Sequence, residues 1–72
     1  MTYIQTIDYL RDHGYKPVKH IRRTLNGSHI EGIEIPWPGI SIHDARDRLA
    51  KLLPDFNVVA MTNYDYIMIL KD

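Results

Sequence analysis

The chain predicts an α+β fold: an αββ-αββ two-layer sandwich, with two helices on one face of a four-stranded antiparallel sheet. Three observations predict it. Thr2-Tyr3-Ile4-Gln5 and Ser41-Ile42-His43-Asp44 lie 39 positions apart (41 − 2). Each places a hydroxyl at a helix start and, three residues on, a side chain that can reach back to the free backbone N–H groups. Leu10 and Leu49 keep the same offset. Beyond them, hairpin-like stretches open at Tyr15-Lys16-Pro17-Val18 and Phe56-Asn57-Val58-Val59, 41 apart (56 − 15).

The first helix is expected over 3–13, because Tyr3, Ile7 and Leu10 recur at i, i+4 and i+7 and form one apolar stripe. Gly14 suits the left-handed position after it, from which Tyr15 can fold back onto Leu10. Asn26-Gly27 tolerates the positive φ angles of a type I′ turn and predicts a two-residue hairpin loop. That register sets Leu25 opposite Ser28, Thr24 opposite His29, Arg22 opposite Glu31, Lys19 opposite Glu34 and Val18 opposite Ile35. Two of these pairs carry opposite charge, which supports the register independently. Ile30 falls out of phase with Ile33 and Ile35, so Gly32 reads as a bulge that restores the alternation.

The second helix is expected over 42–53, stopped by Pro54, with Ile42, Ala45, Leu49 and Leu52 inward. Ile40 would staple onto Ala45, and Asp44–Arg48 and Asp47–Lys51 would form i,i+4 pairs on the wet face. The second hairpin pairs 57–61 with 66–70 around Thr62-Asn63-Tyr64-Asp65. Tyr66-Ile67-Met68-Ile69-Leu70 is apolar at every position, which places that strand inside the sheet. Set between the second and third strands, it gives the order 1-2-4-3 and a split β-α-β crossover. The first strand, with Lys19, Arg22 and Arg23, is then left at an edge, where charge discourages aggregation.

Seventy-two residues predict a single domain over 1–72. A chain of this size buries only about 60% of its unfolded surface, so its stability is expected to be marginal. It has no cysteine, which excludes disulfides and thiolate metal sites. No apolar run approaches the roughly 20 residues that span a bilayer. No basic segment leads into an apolar one, so neither membrane nor secretory leader is expected, and a cytoplasmic location is. Nine basic residues balance nine acidic ones, where nucleic-acid binders usually carry a basic excess. The charges are nonetheless uneven: Arg11, Lys16, Lys19, Arg22 and Arg23 gather early, and Asp55, Asp65 and Asp72 late.

Three groups of residues are candidate sites. The first is the sheet face away from the helices. Either Ile67 and Ile69 face the helices while Tyr66, Met68 and Leu70 face out, or the reverse; both leave an apolar face that needs cover. Trp37, held between prolines in Ile35-Pro36-Trp37-Pro38-Gly39, is either a partner hot spot or a lid on the core. Trp37, Tyr64, Tyr66 and Met68 are therefore the expected partner-binding residues. The second group is the basic set Lys16, Lys19, Arg22 and Arg23, suited to phosphate contacts. The third is His20, Arg22, Thr24, His29 and Glu31, which share one side of the first hairpin and could run acid–base chemistry on RNA. No cofactor motif and no tight ligand spacing such as His-x-x-x-His is present, so neither cofactor nor metal is expected.

Gly27-Ser28-His29, followed by a strand ending in Ile35-Pro36 and then a helix, resembles the HicA-type toxin ribonucleases. The resemblance covers about half the chain. It implies that His29 corresponds to the functional histidine of that family. The chain departs from the family in adding a complete hairpin beyond the second helix and in lacking the family's basic excess.

The expected function is that of a small non-enzymatic domain binding a protein partner, as a regulator or inhibitor. By analogy of size alone, phage and mobile-element inhibitors of host defence systems are such domains. A homodimer pairing open sheet faces fits the same surface. Nucleic-acid binding through the basic first strand, and a HicA-like ribonuclease using His29, are the alternatives.

Overall fold

The computed structural model describes residues 2–16 and 18–71, with the side chains of Arg23 and Leu25 outside that description. Helix α1 (Tyr3–Asp12) begins where both halves of a capping box close. The Gln5 N–H donates to the Thr2 hydroxyl at 3.1 Å, and the Thr2 N–H donates to Gln5 Oε1 at 2.9 Å. The helix ends on a Schellman turn around Gly14, at φ +88°. There the Gly14 N–H donates to the Arg11 carbonyl at 3.0 Å and the Tyr15 N–H to the Leu10 carbonyl at 3.1 Å.

Strands β1 (Lys19–Leu25) and β2 (Ser28–Pro36) are joined by Asn26 (φ 51°) and Gly27 (φ 80°), the two left-handed positions of a tight hairpin loop. The expected register holds without interruption from Lys19–Glu34 to Leu25–Ser28. Val18 lies just ahead of β1, buried in the core. The bulge expected at Gly32 is absent: Gly32 pairs with Ile21 on one side and Leu70 on the other. Ile30 is out of phase with Ile33 and Ile35 because it belongs to the opposite face of the sheet, where apolar side chains are also needed.

Helix α2 (Ile42–Leu52) corrects three local expectations. Ser41 makes no side-chain cap; its hydroxyl instead accepts the Trp37 indole N–H at 3.1 Å. Ile40 is 98% exposed and staples nothing. Asp47 pairs with its neighbour Arg46 at 3.0 Å, and neither Asp44–Arg48 nor Asp47–Lys51 forms among the described residues. Arg46 also donates from Nε to the Val58 carbonyl at 2.9 Å.

Strands β3 (Phe56–Met61) and β4 (Tyr66–Lys71) close the second hairpin, with Asp65 left-handed at φ 55°. The sheet order is β1-β2-β4-β3, antiparallel throughout. Strand β4 thus lies between the two strands of the β2-α2-β3 crossover. Helix α1 packs on β1 and β2, and α2 on β3 and β4. Between the layers, Leu10, Ile33, Ile35, Leu49, Leu53, Ile67 and Ile69 are closed to solvent. That settles the phase of β4: Ile67 and Ile69 face the helices, while Tyr66, Met68 and Leu70 face away. Among the described residues, no helix is long and apolar enough to cross a membrane.

Candidate protein-binding face and the polar hollow of the first hairpin

Side chains alternate across each strand, so the ladder registers place every residue of the open face. Ile21 stands on β1 and Ile30 on β2. Leu70, Met68 and Tyr66 follow along β4, and Val59 and Met61 along β3. Together they wall an apolar groove of about 190 Å³ that crosses all four strands. Met68, at its centre, is only 8% exposed because its neighbours crowd around it; the others are half-buried. Gly32 makes that crowding feasible. A Cβ there would lie 2.7 Å from the Ile69 carbonyl oxygen, 2.8 Å from Leu70 Cδ2 and 3.3 Å from Met68 Sδ.

Of the expected partner-binding residues, Tyr66 and Met68 share this face. Tyr64, 68% exposed in the turn, extends it, with its ring 6.0 Å from that of Tyr66. Trp37 is set apart. It packs against the core on the helix side, 6.0 Å from the Tyr15 ring, with its indole on Ser41 and its backbone N–H on the Asp65 carbonyl at 2.8 Å. It acts as a lid. The basic set is likewise divided. Lys16 is in the loop before β1, Lys19 is on the open face, and Arg22 is on the opposite one. The side chain of Arg23 lies outside the described residues.

The five hairpin residues do come together, on the helix side of the sheet. A hollow of about 300 Å³ is lined by Arg22, Thr24, His29, Ile30 and Glu31. Arg22 Nε donates to Glu31 Oε2 at 2.9 Å, and His20 Nε2 lies 2.7 Å from the same oxygen. His29 Nδ1 lies 3.2 Å from the Thr24 hydroxyl. The Arg22 charge is thus already matched within the chain, which weakens its attraction for a phosphate. Among the described residues, no group of three or more His, Asp or Glu could hold a metal ion.

The Arg22 hydrogen bond, then the one from His20, holds the Glu31 carboxyl below its ordinary pKa of 4.5. Folding therefore favours the ionised form. The resulting stabilisation is complete above 4.5 and is lost as pH falls through the lower folded value. Thermal unfolding followed from neutral pH into this acid range is expected to show a steeper loss of Tm in the wild type than in Glu31→Gln. Equal slopes would reject the coupling.

Sequence reasoning missed Tyr3. Its ring stacks on His20 at 5.1 Å, and Lys71 Nζ sits 5.1 Å from its centroid. Its hydroxyl donates to the Glu31 carbonyl at 2.9 Å and accepts from the Lys71 N–H at 3.3 Å. Tyr3 so joins β2 to β4 just past Gly32–Leu70, the last pair of their ladder. The only sequence signal was a tyrosine, with a polar tip, at the head of an apolar stripe.

In comparisons with known proteins, no family model, no curated protein and no solved structure matches this chain.

Proposed function

We propose that this chain is a non-enzymatic protein-binding domain whose working surface is the open face of its sheet. The observation that carries the reading is the apolar groove from Ile21 to Met61, on a face that no element among the described residues covers. Contiguous apolar surface turned to water marks interaction sites. Met61, Met68, Tyr64 and Tyr66 are of the types that adapt to a partner while keeping one end wet. By occupying a partner's surface, such a domain acts as its regulator or inhibitor.

The test immobilises the tagged chain and offers it nuclease-treated cell lysate supplemented with untagged chain. The wild type is expected to retain a specific protein. Ile21→Lys and Met61→Lys, at opposite flanks of the groove, are expected to lose it, and Ile40→Lys, away from the groove, to keep it. Retention of neither a lysate protein nor the untagged chain would remove the reading. So would undiminished retention by both face variants with native circular dichroism.

A further inference from the structure

We infer that the occupant of the open face is a second copy of this chain, packed sheet against sheet; the inference rests on the protein-binding reading and names its partner. Width is the first argument. The groove takes walls from all four strands, Ile21 on one edge and Val59 and Met61 on the other. At about 4.8 Å per strand the outer strands lie about 14 Å apart. A single helix, about 10 Å across, would leave part of that band wet. A second four-stranded sheet matches it, and sheets stack face to face through interdigitating side chains.

Area is the second. A face of four short strands measures about 19 by 20 Å, so two such faces would remove about 800 Å² from water, at the small end of interfaces and in the range of weak, transient association. This is enough for a dimer that forms and dissociates.

Charge is the third. The chain has no net charge, so two copies do not repel. On that face Lys19 and Glu34 are cross-strand neighbours of opposite sign, and Arg23, paired with Ile30, shares it by register. The product has four layers, with helices on both outer surfaces and all sheet surface inside.

Sedimentation equilibrium at concentrations up to about 0.5 mM tests this over the range of a modest dimer. The wild-type mass is expected to rise toward twice 8.5 kDa. Ile21→Lys and Met61→Lys are expected to weaken association about tenfold or more, because each places an unpaired charge in the buried apolar band. Ile40→Lys is expected to associate as the wild type does. Both face variants substitute half-buried edge-strand positions and are checked for folding by circular dichroism. A wild type that stays at 8.5 kDa throughout, or folded face variants that associate undiminished, would overturn the inference. If a monomeric wild type still captures a lysate protein through this face, the second copy is excluded and the protein-binding reading stands.

Discussion

Gly32→Val is expected to lower the melting temperature by more than about 10 °C, a loss of about 2–4 kcal/mol. Strand propensity alone predicts the opposite sign, since valine is preferred over glycine in strands by up to about 1 kcal/mol. Packing decides the outcome. The new Cβ would meet the Ile69 carbonyl oxygen at 2.7 Å, and that oxygen belongs to a backbone held between two ladders. Leu70 Cδ2 at 2.8 Å is the end of a flexible side chain and could swing aside, but the backbone oxygen could not. A domain of this length holds roughly 4–11 kcal/mol in total, so the loss is a large fraction of it. Circular dichroism melts of wild type and Gly32→Val would measure it. A variant as stable as the wild type would show that the β2–β4 contact relaxes freely.

Tyr3→Ala is the second large effect, at about 2–4 kcal/mol. The ring joins the start of α1 to His20 on β1, Phe56 on β3 and Lys71 on β4. Tyr3→Phe separates the ring from its hydroxyl. It keeps the stacking and loses the bridge between the Glu31 carbonyl and the Lys71 N–H, for about 1 kcal/mol. Urea denaturation of the pair gives both values. If Tyr3→Phe costs as much as Tyr3→Ala, the hydroxyl carries the effect and the ring contacts contribute little.

Much of the fold was legible because it depends on local chemistry. Asn26-Gly27 dictated the first hairpin and its register, and Thr2 with Gln5 capped α1. The unbroken apolar run at 66–70 placed β4 inside the sheet. The misread features depend on competition between distant groups. Ser41-Ile42-His43-Asp44 has the form of a cap, yet the Trp37 indole takes the serine hydroxyl. With that cap gone, the entry angle that would staple Ile40 onto Ala45 is gone too. Ile30 looked like a phase error because period-two reasoning assumes one apolar face, whereas this sheet has two. The glycine assigned to correct the error is instead a close-packing point. The partners of Tyr3 lie 28 and 68 positions away, beyond any local pattern. For the candidate site, an apolar open face on β4 was legible from composition, whereas which of its residues form that face was decided only by the packing of Ile67 and Ile69 under the helices. The separation of Trp37 from them needed the β2–α2 junction in three dimensions.

The guanidinium of Arg46 on the Val58 carbonyl has a consequence for how large anything built from this chain can become. It occupies an outward-facing acceptor on β3, while the opposite border of the sheet, β1, carries Lys19 and Arg22. Both borders thus resist the strand-by-strand addition through which sheets elongate into fibrils. Stacking through the broad face meets no such obstacle, but helices already cover the reverse side, so it halts after one step. The geometry favours a finite particle over an open polymer, and it keeps an apolar surface available to a neighbour without seeding unlimited growth.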